Sequence, residues 1–135
     1  MKFYNDIKLK RSTRPAEAED GLRIFVDRLW PRGVPKDALK CRMWAKRIAP
    51  SDELRRWYRY NRDPDSFEQF REKYFAELDA SPTAEIIAQM CVDFLGYGNV
   101  TLVYDAPDPE KNNAAVLREW IFKKIDSFTG GQKTE

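Results

Sequence analysis

The segment RIFVDRLWPRG, residues 23–33, decides the fold of this chain. Residues 24–26 form an apolar run that is typical of a buried strand. The charged side chains of Asp27 and Arg28 follow directly, and the sequence Trp-Pro-Arg-Gly at 30–33 then turns the backbone out of the strand. Open α/β proteins commonly bind ligands at the C-terminal ends of their strands. The segment therefore predicts a core strand that delivers charged side chains to a candidate ligand site.

Three other segments carry strand patterns. Residues 3–10 alternate apolar and polar side chains, which is the period of a strand. Residues 99–106 contain a nearly continuous apolar run, which is typical of a central strand covered on both faces. Residues 41–48 alternate less clearly, and we assign them to a strand although their composition also tolerates a helix. Together with residues 22–29, these segments predict about four strands.

Four helices are predicted between and after these strands. One runs from Asp52 to Tyr60, with Ser51 as its N-cap and acidic residues in its first turn. The pairs Asp-Pro at 63–64 and Ser-Pro at 81–82 each combine a capping residue with a proline that suits a first helical turn. One of the asparagines at 112–113 can cap a last helix.

Helices separate most of the strands and no compelling two-residue hairpin is present, so the sheet should be mainly parallel. We therefore predict an α/β fold, with a single three-layer domain over residues 1–126. A small sheet of about four strands would have helices on both faces. Residues 127–135 contain two glycines and few apolar residues, so we expect a frayed C-terminal tail.

The composition limits the location and the chemistry. No apolar run approaches the roughly 20 residues that cross a bilayer, and residues 1–11 lack the apolar centre of a signal peptide. We therefore expect a cytoplasmic protein without a membrane partner. The chain has no histidine, its two cysteines are isolated, and the glycine-rich phosphate-binding motifs are missing. We accordingly expect no metal and no cofactor.

The net charge of +2 hides an uneven distribution. Residues 1–62 contain 17 Lys and Arg against 8 Asp and Glu, whereas residues 63–135 contain 7 against 14. A basic half is typical of a protein with an anionic partner, although an ordinary solvated surface has a similar composition.

The charged residues at the predicted strand ends form a candidate site. In a parallel sheet these ends lie at one edge, where they would meet the positive N-terminus of the last helix. Arginine suits planar phosphate and carboxylate groups, and a carboxylate or a lysine must supply any acid–base chemistry in a chain without histidine. The candidate catalytic residues are Asp27 and Asp105. The candidate ligand-binding residues are Arg11, Arg28, Arg32, Lys46 and Asn112.

A structural interpretation accounts for some of the same residues. Asp27 and Arg28 could neutralise neighbours such as Arg32 and Asp105 in an ion-pair network, which is common in chains with this many charges. The pattern therefore leaves open whether this edge is a binding site and whether the protein is an enzyme.

Five motifs extend over most of the chain: VDRLWPRG (26–33), WAKRIAPS (44–51), ELRRWY (53–58), FxxFREKY (67–74) and TLVYDAPDPEKNNAAVLREW (101–120). Together they resemble the YeaO-like bacterial proteins, a domain-of-unknown-function family. The resemblance implies an α/β domain and no established activity. Relatives often carry histidines in the loop after the last strand, where this chain has Lys111 and Asn113.

Three functions agree with these observations. The preferred one is binding of a small phosphate- or carboxylate-bearing molecule, with the strand-end arginines and Lys46 holding the anion and Asp27 as orienter or base. The second is association with nucleic acid through the basic N-terminal half. The third is a non-enzymatic interaction module with Tyr58 and Tyr60 as its contact surface. The oligomeric state is left open.

Overall fold

The strands of the sheet are not arranged in chain order. A computed structural model describes residues 5–129. Within them, β1 spans Ile7–Arg11, β2 spans Leu22–Phe25, β3 spans Met43–Trp44 and β4 spans Val100–Tyr104. Neighbouring strands are parallel, and their order in the sheet is β1-β4-β2-β3. The strand that comes last in the chain therefore lies between the first two.

Four α-helices complete the described part of the chain. They are α1 Asp52–Tyr60, α2 Ser66–Asp79, α3 Pro82–Phe94 and α4 Asn113–Thr129. The predicted N-cap of α1 is confirmed, because the Ser51 hydroxyl accepts a hydrogen bond of 3.0 Å from the Leu54 amide. Ser81 caps α3 in the same way, with a bond of 3.1 Å from the Ala84 amide.

One face of the sheet carries the α-helices. Val100 and Leu102 of β4 lie in the larger core together with Ile24 of β2, and all four α-helices contribute buried side chains to it. Tyr74 of α2 is completely buried there, and its hydroxyl donates a hydrogen bond of 2.6 Å to the Ile48 carbonyl. The buried phenol thus has an acceptor, as a polar group removed from water requires.

A layer of turns covers the other face. It consists of residues 31–42 and a short 3-10 helix, Ala18–Asp20, and it forms a smaller core around Phe25. The ring of Trp30 lies 4.9 Å from that of Phe25 between centroids, and the ring of Trp44 lies 6.1 Å from it. The predicted α/β fold with a parallel four-stranded sheet is confirmed. The prediction of helices on both faces is corrected, because the α-helices pack on one face and residues 31–42 form turns around Phe25 on the other.

Asp20 ends the 3-10 helix of this turn layer, is buried, and is neutralised by cations from two strands. Its carboxylate accepts hydrogen bonds from Lys10 of β1 at 3.0 Å and from Arg23 of β2 at 2.7 Å. The amide of Glu17 donates a third, at 3.0 Å. Burial alone would raise the pKa of Asp20, but these hydrogen bonds outweigh it and hold the pKa below its ordinary value. The buried charge is therefore paired with two cations, although all three hydrogen bonds go to one carboxylate oxygen and the other has no hydrogen-bond partner among the described residues.

The third strand is shorter than predicted. Within residues 41–48, only Met43–Trp44 pairs with β2, and Lys46–Ile48 forms a 3-10 helix. This turn directs Ile48 into the core and leaves Lys46 exposed. A 3-10 helix of three residues completes only one turn, so its residue pattern cannot be distinguished from the alternation of a strand.

The last helix passes the predicted end of the domain at residue 126. It continues to Thr129, and the rest of the predicted frayed tail lies outside the described residues. In the part of the chain that the structure describes, none of the helices is long and apolar enough to cross a bilayer.

Replacing Gly21 by alanine should destabilise the protein strongly. Gly21 has a φ of +66°, and a Cβ atom there would lie 1.9 Å from the Asn99 carbonyl oxygen. Backbone strain and the clash together should lower the free energy of unfolding by about 3 kcal/mol or more. Gly33 is the control, because its φ of +76° is also positive but its Cβ would meet nothing within 4 Å. Its alanine variant should lose only about 1 kcal/mol in the same urea titration; equal losses would contradict the packing argument.

Replacing Asp20 by asparagine should remove a pH-dependent part of the stability. At pH 7 the loss should be about 3 kcal/mol, because Lys10 and Arg23 lose their buried counter-charge. The pKa of Asp20 is lowered in the folded state, so its contribution is complete above about pH 5 and shrinks as the pH falls below about 4. Urea titrations at several pH values measure the difference. A loss that stayed constant down to pH 3 would contradict the assignment.

Candidate functional site

A cleft of about 840 Å³ opens at the C-terminal ends of β2 and β4. These strands are neighbours, but the chain leaves them towards opposite faces of the sheet: residues 31–42 cover one face after β2, and α4 packs on the other after β4. Such a reversal is where open α/β sheets form their ligand crevices. The cleft therefore lies at the edge of the sheet where the sequence predicts a ligand site.

Three parts of the chain line this cleft, which we call the edge cleft. The turn after β2 supplies residues 27–32, and the segment after β4 supplies residues 105–108 and 111–113. The third wall is formed by α1 and the residues after it, through Arg55, Tyr58, Arg59 and Arg62. The predicted site residues that line the cleft are Asp27, Arg28, Arg32, Asp105 and Asn112. Arg11 and Lys46 are not among the lining residues.

The carboxylate of Asp27 joins the ends of β2 and β4. One oxygen accepts a hydrogen bond of 3.0 Å from the Asp105 amide, and the other accepts one of 2.9 Å from the Asn113 side chain. Burial raises the pKa of Asp27, and the nearby charge of Asp105 adds to that effect. The two hydrogen bonds and the charge of Arg55 act in the opposite direction but do not cancel it. Asp27 is thus a carboxyl with a raised pKa in a cleft, which is a frequent property of functional groups.

Asp105 is also held in place by neighbouring groups. One of its carboxylate oxygens accepts a hydrogen bond of 2.5 Å from the Ser12 hydroxyl. Its backbone carbonyl accepts one of 3.1 Å from Nε of Arg11. Among residues 5–129, the Arg11 side chain therefore meets the site through the backbone of Asp105, which positions the end of β4.

Arg28 makes contacts to the backbone of another segment. Its Nε donates a hydrogen bond of 2.9 Å to the Pro50 carbonyl, and one Nη donates a longer one, 3.4 Å, to the Ala49 carbonyl. Nε also lies 3.9 Å from a carboxylate oxygen of Asp52 in the first turn of α1. Arg28 thus connects the turn after β2 to the start of α1, and much of its guanidinium is already occupied.

Arg32 and Lys46 differ in their positions. Arg32 is exposed at the edge cleft, and its side chain has no hydrogen-bond or ion-pair partner among residues 5–129. The Lys46 ammonium instead lies 5.2 Å from the centre of the Trp44 ring, in a cation–π arrangement. The structure does not bring Lys46 to the cleft, because the 3-10 helix Lys46–Ile48 replaces the predicted end of the third strand.

Asn112 caps α4 where that helix meets the cleft. Its side-chain oxygen accepts a hydrogen bond of 2.8 Å from the Ala115 amide, and its side-chain nitrogen donates one of 2.8 Å to the Asp108 carbonyl. The Asn112 side chain is buried, and both the oxygen and the nitrogen of its amide take part in these hydrogen bonds. Asn112 therefore fixes the position of the helix N-terminus, whose dipole favours an anion in the cleft.

Six lining residues with a charged or amide side chain are not assigned to this site from the sequence. They are Arg55, Arg59, Arg62, Asp108, Lys111 and Asn113. The spacing of four between Arg55 and Arg59 predicts that they share one face of α1. The direction of that face depends on how α1 packs against α2, which the local pattern does not contain.

The charges that line the cleft are mainly positive. Six lining side chains are Lys or Arg and three are Asp among the described residues. The third carboxylate, Asp108, accepts hydrogen bonds from the amides of Glu110 and Lys111, which lower its pKa. The structure shows no group of three or more Cys, Asp or Glu side chains placed to hold a metal ion within residues 5–129.

Comparison with known proteins places the chain in a family. A family model described as "Inactive DUF488-N3 subclade" matches residues 6–134. The chain belongs to this family. The YeaO-like membership expected from the motifs is confirmed by the uncharacterized protein YeaO of Escherichia coli K12. It is 40% identical over 116 residues, which are 86% of this chain and 96% of the relative.

Two further relatives of the chain come from mycobacteria. The uncharacterized proteins Rv3073c of Mycobacterium tuberculosis H37Rv and Mb3100c of Mycobacterium bovis are each 34% identical over 116 residues. These residues cover 85% of this chain and 92% of each relative. No solved structure shows significant similarity to the chain.

Replacing Asn113 by alanine should raise the pKa of Asp27 further. The side chain of Asn113 donates a hydrogen bond to the charged form of Asp27, so its removal disfavours ionisation. A ¹³C-NMR titration of the side-chain carboxyls would measure this pKa in both proteins. Asp108 is the control, because backbone amides lower its pKa and the substitution leaves them in place. An unchanged Asp27 titration would contradict the proposed hydrogen bond.

Proposed function

We propose that this protein binds a small phosphate- or carboxylate-bearing molecule in the edge cleft. The observation that carries the proposal is an excess of cations around a cleft whose carboxylates are already engaged. Asp27 and Asp108 accept hydrogen bonds from neighbouring donors, and so does Asp105. The cations are less occupied: Arg32 and Arg59 have no partner for their side chains among the described residues.

The N-terminus of α4 adds to this preference for an anion. The first N–H groups of a helix have no acceptor inside the helix, and its dipole is equivalent to roughly half a positive charge at that end. The helix has 17 residues and begins at Asn113, which lines the cleft. An anion placed there would meet backbone N–H groups as well as arginine side chains.

A binding role is favoured over a catalytic one. The family description begins with the word "Inactive". In addition, Asp27 and Asp105 each hold a neighbouring group in place, as the bonds to Asn113 and Ser12 indicate. We therefore propose that Asp27 orients the groups that line the cleft. The role of Asp27 as a base and the catalytic role of Asp105 stay predictions. The cytoplasmic location stays a prediction as well.

Association with nucleic acid, the second function suggested by the sequence, has less support. Lys10 donates a hydrogen bond to the Asp20 carboxylate, and Arg11 donates one to the Asp105 carbonyl. These two cations are therefore not free to form a continuous basic surface. The interaction module is weakened similarly, because the Tyr58 ring lies beneath the Arg62 guanidinium at 4.0 Å. Tyr60 remains exposed.

Pyrophosphate and citrate should bind to this protein, and removing Arg32 and Arg59 together should weaken that binding. Each charge-assisted hydrogen bond contributes about 1.5–3 kcal/mol, so the double alanine variant should lose at least tenfold in affinity by isothermal titration calorimetry. A ligand at 100 times its dissociation constant should also add about 2.7 kcal/mol to the free energy of unfolding.

A matched control removes the same charge elsewhere. Arg14 and Arg47 are exposed and do not line the cleft, so their double alanine variant should keep its affinity within twofold. Equal losses in both double variants would show a non-specific charge effect and contradict the site. Absence of binding by every phosphate and carboxylate probe would contradict the function itself.

A further inference from the structure

We infer that the anion of the edge cleft is a linear oligophosphate group with at least three phosphates in a row. This inference rests on the proposed function and specifies the ligand class. Inorganic oligophosphate and the triphosphate of a nucleotide share the group, and both are named as probes below.

The arginine wall of the cleft is longer than a single phosphate. Arg55 and Arg59 are four residues apart on α1, so a rise of 1.5 Å per residue separates their Cα atoms by about 6 Å along the helix. Arg62 follows the end of α1 and also lines the cleft. A chain of phosphates can follow this row and meet each arginine in turn.

The side chains of this wall are available for a ligand. Arg59 has no partner among residues 5–129. Arg55 contacts Asp52 at 3.4 Å, but this ion pair is exposed and therefore weak. Arg62 stacks on Tyr58 with its guanidinium, which leaves the in-plane N–H groups of the fork free to donate.

The other two walls of the cleft add positive charge beyond α1. Arg32 lies on the wall from the turn after β2, and Lys111 lies next to the N-terminus of α4. A volume of about 840 Å³ is in the range that encloses a drug-sized molecule. The cleft is thus large enough for more than one phosphate, and all three of its walls carry cations.

Two arginines of the α1 wall also line a second cavity. Arg55 and Arg59 line a second, smaller cavity of about 120 Å³ together with Arg56 and Asp52. A long polyanion is disfavoured, however, because residues 63–135 contain 14 acidic against 7 basic side chains. A short chain of phosphates fits this combination better than a nucleic-acid strand.

The length of the anion can be varied directly. Orthophosphate, pyrophosphate and tripolyphosphate are titrated into the full chain by calorimetry at constant ionic strength and without magnesium. Affinity should rise at least tenfold from orthophosphate to pyrophosphate and again to tripolyphosphate. A nucleoside triphosphate that binds more tightly than tripolyphosphate would identify the nucleotide as the source of the group, and equal affinity would favour the inorganic chain.

Single substitutions test which arginines contact the longer phosphate chain. Replacing Arg55, Arg59 or Arg62 by alanine should each weaken tripolyphosphate about tenfold and orthophosphate by a smaller factor. The control Arg47→Ala, at an exposed arginine outside the cleft, should change neither by more than twofold. Thermal unfolding checks that the variants remain folded.

Three outcomes would overturn the inference. Equal affinities for orthophosphate and tripolyphosphate would leave a single-anion site and keep the proposed function. Tighter binding of a ten-residue oligothymidylate than of tripolyphosphate, by tenfold or more, would assign the arginine row to single-stranded nucleic acid. No binding of any of these anions would contradict both the inference and the proposed function.

Discussion

The insertion of β4 between β1 and β2 is the constraint on which the rest of the molecule depends. All five residues of β4 are buried, and the strand pairs in parallel with a neighbour on each side. Because β2 and β4 end together, the Asp105 amide meets the Asp27 carboxylate. The start of α4 is brought to the same place, since this helix follows β4 after a short segment. The edge cleft is therefore a direct result of this strand order.

Much of the fold could be predicted from local patterns. The bounds of α1 follow from Ser51 and the acidic first turn, and the buried position of β4 follows from its apolar run. The 3-10 helix Lys46–Ile48 could not be predicted in this way, because a three-residue turn has almost no periodicity. Similarly, the buried charge of Asp20 depends on cations from two different strands. Lys10 lies 10 residues before Asp20 in the sequence, and Arg23 lies 3 residues after it.

For the site, the sequence indicated the region better than the individual roles. Parallel strand ends must meet at one edge, so placing Asp27 near Asp105 required only the strand assignments. The contacts of Arg28 are different, because its acceptors are backbone carbonyls at residues 49–50 that any sequence could provide. The arginines of α1 were recognised as basic residues, but their direction depends on the packing of helices that are distant from β2.

The attachment of Arg28 to the start of α1 also affects how the cleft can recognise anything. Because this side chain bonds the carbonyls at residues 49–50, the wall that carries Arg55 and Arg59 is held to the end of β2. A preorganised cavity loses little conformational entropy when it is filled, which improves affinity. It also cannot adjust its width to a shorter or longer guest. Selectivity would then come from rigid complementarity, which depends on the backbone contacts that Arg28 makes as well as on any contact with the bound molecule.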